Sequence, residues 1–174
     1  MESDVGQLCY KKNSVALCFK KGGSQLVYKI ASGGETTVTF AWASDLKDLD
    51  ILAYWDGAPD LTAGYGHGSG GTSGAYTISY SGDSTSADSS EWVRVAMSPW
   101  GSGGARTLRV HFNCYGFGDD YPGSACMVIA SQPDGPTIIK YDQPCATRKG
   151  QPADTSDPCC VVTFDERGNL VSVS

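Results

Sequence analysis

The sequence has few histidines, little charge and no long apolar run, and each shortage argues against a class of protein. His67 and His111 are the only two histidines in 174 residues, and no Cys-Xaa-Xaa-Cys spacing occurs, so a structural zinc site is not expected. The 13 Lys plus Arg stand against 19 Asp plus Glu, which argues against binding nucleic acid through its phosphates. No apolar stretch approaches the roughly 18–20 residues that cross a bilayer, so no membrane partner is expected.

Motifs of the common enzyme classes are also missing. Around Ser69 the pattern Gly-Xaa-Ser-Xaa-Gly fails, because His67 stands where the first glycine belongs. Asp119 and Asp120 are adjacent, so on a strand they would diverge and make a poor glycosidase pair; the segment 119–123 is more typical of a turn or a weak cation site. No phosphate-binding glycine loop is followed by a helical pattern. We therefore predict that the protein is not an enzyme.

Alternation of apolar and polar residues dominates the chain, and no segment of helical length shows a 3.6-residue apolar period. Short alternating runs separated by turns are typical of sheets that bury one face. We predict one all-β domain spanning 1–174, an antiparallel two-sheet β-sandwich of jelly-roll type, with a distorted barrel as the alternative. The apolar positions of the clearest runs are Val38, Phe40, Trp42; Leu49, Ile51, Ala53, Trp55; Tyr76, Ile78, Tyr80; Val93, Val95, Met97; Leu108, Val110, Phe112 and Cys114.

Two connections differ from the rest in composition. Residues 62–74 contain six glycines and predict a loop. Residues 142–158 contain three prolines and little apolar content, which predicts a long irregular connection before a C-terminal hairpin.

The seven cysteines indicate disulfides, with reduced buried cysteines as the alternative. If Asn13-Ser14 is a two-residue turn, Cys9 faces Cys18 across a hairpin. A hairpin centred near residue 120 would likewise place Cys114 opposite Cys126, while the pairing of Cys145, Cys159 and Cys160 stays open. Disulfides favour an extracellular or a virion or cell-surface location, although the first four residues do not predict a signal peptide.

The segment from Asp45 to Ile51 is the most distinctive one for chemistry. Asp48 and Asp50 are two residues apart, so an extended chain directs both carboxylates the same way. Oxygen-rich clusters suit Ca²⁺, and Asp45 and Asp56 are further candidate ligands. The alternative is a solvated acidic start of a strand, with Asp48 fixing a turn.

The strand Val-Thr-Phe-Ala-Trp at 38–42, followed by Asp-Leu-Asp-Ile at 48–51, resembles bacterial β-sandwich modules of the pre-peptidase C-terminal type. The resemblance covers 36–130. It implies a non-catalytic appendage of secreted proteins, in a family of which some members bind calcium or substrate polymers.

A second set of candidates follows from a predicted hairpin between 91–97 and 106–114. This hairpin would place Trp92 and Arg94 on the same outer face as Arg109 and His111, with Tyr54 and Tyr115 as additions. Aromatic rings beside cations and hydroxyls bind sugars or peptides. The alternatives are a surface cation–π pair at Trp92, or a face covered by the N-terminal strands or another subunit.

These observations lead to three functional hypotheses. The first is a non-catalytic binding or surface module, stabilised by Ca²⁺, that recognises a carbohydrate or protein polymer. The second is a structural or homo-oligomeric assembly protein, such as a bacteriophage virion component, in which exposed sheet edges associate. A hydrolase is the least favoured, because no nucleophile and base can be paired.

Overall fold

The computed structural model describes residues 7–12, 15–20, 26–30, 34–42, 46–86, 89–97, 106–117, 126–133 and 135–174. Within these ranges the chain forms fourteen strands and no helix. All pairings between these strands are antiparallel. The strands are β1 (Gln7–Lys12), β2 (Val15–Lys20), β3 (Leu26–Ile30), β4 (Thr36–Ala41), β5 (Leu46–Trp55), β6 (Ala58–Gly64), β7 (Gly68–Ser73), β8 (Tyr76–Tyr80), β9 (Ser90–Met97), β10 (Thr107–Phe117), β11 (Cys126–Ser131), β12 (Thr137–Gln143), β13 (Cys159–Phe164) and β14 (Leu170–Val173).

The first three strands form a small sheet in the order β1-β2-β3. The register of its first hairpin places Cys9 opposite Cys18, so the predicted alignment of these two cysteines is confirmed. Their side chains lie outside the part of the chain that the structure describes, and the disulfide itself stays a prediction.

The other strands form one eleven-stranded sheet in the order β12-β11-β4-β9-β8-β7-β6-β5-β10-β13-β14. Its terminal strands, β12 and β14, contact each other, so the sheet curls into a nearly closed barrel. The prediction of an all-β antiparallel fold is confirmed. The form is the distorted barrel given as the alternative, and the structure does not confirm a sandwich of two separate sheets.

A glycine-rich strand joins the first half of the barrel (β12-β11-β4-β9-β8) to the second half (β6-β5-β10-β13-β14). β7 pairs with β6 through its first two residues and with β8 through the four that follow. Gly64 and Gly70 have φ angles of 141° and 89°. A Cβ at either position would overlap the carbonyl oxygen of Ile51 or of Ile78, so only glycine allows these backbones to approach. The predicted loop at 62–74 is therefore wrong.

The interior of the barrel is filled by the apolar stripes that the sequence predicts, of which only Tyr80 is half-buried rather than buried. The ring centroids of Phe40 and Phe112 lie 5.4 Å apart, and those of Trp55 and Tyr76 also lie 5.4 Å apart. Each pair joins one strand of the first half to one of the second. The two halves therefore share a single hydrophobic core.

The predicted hairpin between 91–97 and 106–114 is wrong. β9 pairs with β4 and β8, whereas β10 pairs with β5 and β13. Alternation determines which face of a strand is buried, but it contains no information on which strand lies beside it. As a result, β9 and β10 lie in different halves with β8, β7, β6 and β5 between them.

An irregular connection was predicted at 142–158. Because β12 ends at Gln143, the connection comprises residues 144–158. It packs along β10. The Cys114 amide donates to the Ala146 carbonyl over 2.8 Å, and the Ala146 amide donates to the Phe112 carbonyl over 3.0 Å. These bonds form an isolated parallel bridge between Asn113 and Ala146. The connection thereby continues the sheet beside the end of β10.

A polar network fixes the rest of this connection. The Asn113 side-chain amide donates to the Arg148 carbonyl over 3.1 Å and to the carbonyl of Gln151, and its oxygen accepts from the Arg148 amide over 2.8 Å. The Arg148 guanidinium Nε donates to Asp157 Oδ1 over 2.9 Å. The connection is irregular in backbone shape, but its buried polar groups have partners.

Candidate functional site

Three aspartates meet near one end of β5. Asp48 and Asp50 belong to β5, and Asp83 belongs to the segment that follows β8. One carboxylate oxygen from each residue lies within 4.8 Å of those of the other two. Asp48 and Asp50 are buried while Asp83 is exposed, so the cluster has one side that faces solvent.

Several buried oxygens of this cluster, and one of the neighbouring Glu91, have no hydrogen-bond partner among the described residues. They are both carboxylate oxygens of Asp50, one of Asp48 and one of Glu91 on β9. Asp50 and Glu91 are each 0% exposed. The Tyr80 hydroxyl lies near enough to Glu91 to affect its pKa, but it forms no hydrogen bond with it. Buried polar groups in folded proteins normally have partners, so this concentration of oxygens is unusual.

Burial and mutual repulsion raise the pKa of each buried acid. Burial, followed by the charges of the neighbouring acids, raises the pKa of Asp50 to about 8. Burial and then the charge of Asp83 raise the pKa of Asp48 to about 6. Burial raises the pKa of Glu91 to about 7, although the nearby Tyr80 hydroxyl and a hydrogen bond from a backbone amide act to lower it. Every charge that contributes to these shifts is an acid, so no basic group of the described residues neutralises the cluster.

An irregular register between β5 and β10 positions the two aspartates of β5. Asp50 lies opposite Asn113 and Asp48 lies opposite Gly116, with Tyr115 as the extra residue on β10. Such bulges are frequent at the rims of barrels, where they turn side chains away from the regular direction.

The segment that carries Asp83 is folded back along β9. The Ser81 amide donates to the Trp92 carbonyl over 2.9 Å, and the Trp92 amide donates to Ser81 Oγ over 3.0 Å. The Ser84 amide donates over 3.0 Å to Glu91 Oε1, the carboxylate oxygen of Glu91 that does have a partner. Backbone and side-chain bonds thus hold the exposed aspartate of the cluster between the strands of the two halves.

These carboxylates suit a hard divalent cation. Ca²⁺ takes six to eight oxygen ligands in a flexible arrangement, and the buried oxygens offer ligands that the protein itself does not use. The residues therefore fit the Ca²⁺ site predicted at Asp48 and Asp50. Asp45, the third predicted ligand, lies outside the described residues. Asp56 is engaged elsewhere, since it accepts from Arg109 Nε over 2.6 Å.

Sequence reasoning missed Asp83 and Glu91. Glu91 gives a usable signal, because it continues the inward stripe of Val93, Val95 and Met97, where an acid is out of place. Asp83 gives none, since it lies in a connection rich in serine, aspartate and glycine.

The predicted binding face does not exist as one surface. Trp92 and Arg94 lie on β9, where the Arg94 guanidinium sits 4.3 Å from the Trp92 ring centroid and 3.7 Å from Glu35. Arg109 lies on β10 in the other half of the barrel and pairs with Asp56. The combined face is therefore a wrong prediction, which failed because the β9–β10 hairpin on which it depended is absent.

The two histidines hold the connection 144–158 in place. His111 is 5% exposed, and its Nδ1 donates to the Asp157 carbonyl over 2.9 Å. In the neutral ring, Nε2 then accepts from the Tyr54 hydroxyl at 3.3 Å, and the two rings stack. His67 Nε2 donates to the Ala153 carbonyl over 2.6 Å. Tyr54 and His111 are thus brought together as predicted, but His111 is covered by the connection.

Cys114 and Cys126 are not placed opposite each other by a hairpin, so this predicted alignment is wrong. β10 pairs with β5 and β13, whereas β11 pairs with β4 and β12. Cys114 and Cys126 are not bridged to each other. Cys114 Sγ instead lies 2.7 Å from Cys145 Sγ.

Comparison with known proteins finds no match, whether among protein-family models, curated proteins or solved structures. No helix of the described residues has the length and hydropathy that crossing a membrane requires. The resemblance of 36–130 to pre-peptidase C-terminal modules, the absence of catalysis and the extracellular or virion location therefore stay predictions.

Proposed function

We propose that the protein is a non-catalytic binding or surface module whose barrel is stabilised by Ca²⁺ at the acidic cluster. The observation that supports this proposal is the pair of unpartnered, fully buried carboxylate oxygens of Asp50. Asp48, Asp50 and Asp83 would hold the ion, with Glu91 beside them. The ion would stabilise the barrel through its positive charge and would take no part in a reaction.

Charge balance is the physical argument for a cation. A buried carboxylate costs several kcal/mol when no partner compensates it, and a second acid nearby increases that cost. Asp50 belongs to the second half of the barrel, whereas Glu91 belongs to the first. A bound cation would remove the repulsion between them and connect the two halves near the start of β5.

Thermal unfolding with Ca²⁺ and with EDTA tests the proposal. Ca²⁺ at about 100 times its Kd should raise Tm by roughly 5–10 °C over the chelated protein. Mg²⁺ should raise it less, because it prefers near-ideal octahedral geometry. Asp50→Asn should abolish the response to Ca²⁺, and Asp60→Asn, a matched change at an exposed position on β6, should preserve it. Identical Tm values in Ca²⁺ and EDTA for the unmodified protein would remove the cation from the proposal.

Recognition of a carbohydrate polymer by this module is supported by an aromatic pair beside the cluster. Tyr65 is 40% exposed and packs edge-on against Tyr115, with ring centroids 5.7 Å apart. Tyr115 directly precedes Gly116, which pairs with Asp48. An exposed ring next to a cation offers stacking together with coordination of hydroxyl groups.

Affinity electrophoresis in gels that contain soluble polysaccharides tests this step. We expect retardation that is lost in EDTA and reduced at least fivefold by Tyr65→Ala, while Tyr141→Ala, an exposed tyrosine on β12, behaves like the unmodified protein. Retardation that is unchanged by Tyr65→Ala would remove this aromatic pair from the proposal. A failure to bind any polysaccharide would leave a protein polymer as the partner class.

A structural or assembly role is the second candidate, and one observation favours it. Ile139 and Tyr141 on β12 are 43% and 66% exposed, and Val171 on β14 is 55% exposed. Both strands are ends of the eleven-stranded sheet and contact each other, so another chain would pack against their exposed apolar side chains. Light scattering after size exclusion should then show oligomers that Tyr141→Lys dissociates. A monomer at all concentrations would exclude self-assembly through these edges.

A further inference from the structure

The start of the connection 144–158 lies directly beside the end of β10. Its parallel bridge pairs Ala146 with Asn113, which turns the side chain of the preceding residue, Cys145, toward the same side as Cys114. Cys145 packs against the hydrophobic core, in which Cys114 is fully buried. The backbone register and the side-chain packing therefore independently bring these two cysteines together.

The two sulfur atoms are closer than two thiols can rest against each other. Cys114 Sγ and Cys145 Sγ lie 2.7 Å apart. Burial raises the pKa of the other described thiols, those of Cys126, Cys159 and Cys160, to about 12 for Cys160.

We propose that Cys114 and Cys145 form a disulfide that fastens the connection 144–158 to β10. The oxidant is a small-molecule or protein disulfide. Cys145, which is half-buried and within reach of solvent, attacks it as a thiolate and forms a mixed disulfide with release of one thiol. The Cys114 thiol loses its proton and attacks the Cys145 sulfur, which releases the second thiol. Two protein thiols are oxidised by two electrons, and one external disulfide is reduced to two thiols.

The bridge would join the two halves of the barrel covalently. Cys145 follows the end of β12, which belongs to the first half, by two residues. Cys114 lies on β10, which belongs to the second half. The bridge also secures the segment whose carbonyls accept from His67 and His111.

Peptide mapping tests the bridge directly. Reduced protein is incubated in its folded state with glutathione disulfide, then denatured and alkylated without further reduction. Trypsin leaves Cys114 and Cys126 in one peptide, 110–140, so a second cleavage before Asp119 is needed to separate them. We expect the Cys114 and Cys145 peptides to be joined, and Cys126, Cys159 and Cys160 to be alkylated. Alkylation of both Cys114 and Cys145, glutathione retained on Cys145, or a bridge from Cys114 to another cysteine would overturn the proposal.

Thermal unfolding supplies a second measurement of the bridge. The oxidised protein should melt about 10 °C above the reduced protein, because the bridge closes a loop of about thirty residues. Cys145→Ser should lose this contribution of about 10 °C, whereas Cys159→Ser, also half-buried, should retain it; a smaller difference that remains in Cys145→Ser would belong to the disulfide predicted between Cys9 and Cys18. The Tm shift caused by Ca²⁺ should be the same in oxidised protein and in Cys145→Ser, so the bridge and the cation site can fail separately. Equal Tm values for the oxidised and reduced proteins would contradict the bridge.

Discussion

Two aspartates are buried to a similar degree in this protein, and their surroundings are opposite. Asp157, in the connection 144–158, is 6% exposed; its carboxylate accepts from Arg148 Nε over 2.9 Å and from the Asp154 amide over 2.7 Å. Asp50, on β5, is 0% exposed, and neither of its oxygens has a described partner. The chain thus provides a cation for one buried acid, while other acids surround the second.

This difference teaches how to distinguish a structural acid from a candidate ligand. A buried acid with a purely structural role finds its hydrogen-bond and ion-pair partners within the protein, as Asp157 does in a guanidinium and a backbone amide. An acid that is buried among like charges needs positive charge from outside the chain, or a proton. The predictions below change one region at a time.

Removal of the cation beside Asp157 should have the largest effect. Arg148→Ala leaves this carboxylate buried without its partner and also removes the bonds to the neighbouring carbonyls, so we expect a loss of about 3 kcal/mol in the free energy of unfolding. Urea unfolding with Arg167→Ala as an exposed control measures it, and the control should change stability by less than about 0.5 kcal/mol. Equal losses of stability in the two variants would show that the partner of Asp157 contributes no more than an exposed side chain.

The metal-free protein should lose stability as pH rises. The pKa of Asp50 is raised to about 8 in the folded state, so between pH 4 and 8 the folded chain binds more protons than the unfolded chain. The stability from this group is fully present below about pH 4 and declines as pH rises toward 8. We expect a loss of about 4 kcal/mol between pH 5 and 8 in EDTA, measured by urea unfolding, and a smaller one in Ca²⁺. Stability that rises with pH in EDTA would oppose this account.

Neutralising Asp50 and neutralising Asp157 should change the free energy of unfolding in opposite directions. In EDTA, Asp50→Asn removes repulsion and should stabilise the protein by about 1 kcal/mol, since an amide needs no counter-charge. Asp157→Asn should destabilise it, because the guanidinium loses its partner. The free energies of unfolding of the two variants, measured by urea unfolding in the same buffer, are compared with that of the unmodified protein. Destabilisation of comparable size in both variants would show that Asp50 has a partner.

The smallest effect is expected at the half-exposed ion pair between Arg109 and Asp56. These side chains are 42% and 25% exposed, so solvent screens their attraction. Asp56→Asn should cost about 0.5 kcal/mol and leave the Ca²⁺ response unchanged. A loss of that response would place Asp56 at the metal centre after all.

The burial pattern could be predicted from the sequence, but the neighbours of each strand could not. Val93 and Phe112 are buried as their alternation predicts, because period-two patterning follows from the geometry of a single strand. Pairing between strands depends on contacts that are distant in sequence, so β9 and β10 separated where a hairpin was expected. The candidate site follows the same division: Asp48 and Asp50 are local to one strand and were found, whereas Asp83 and Glu91 join them only through the fold.

The glycine strand β7 limits how this chain can vary. At Gly64 and Gly70 the carbonyl oxygens of adjacent strands already occupy the space of a side chain, so even alanine would require a strand to move. In the described part of the sheet, the ladder continues from one half to the other only through β7. Such a movement would separate the walls around the core rather than disturb a surface turn. A stretch whose composition suggests tolerance to substitution is thus among the positions where random mutagenesis should recover the fewest folded variants.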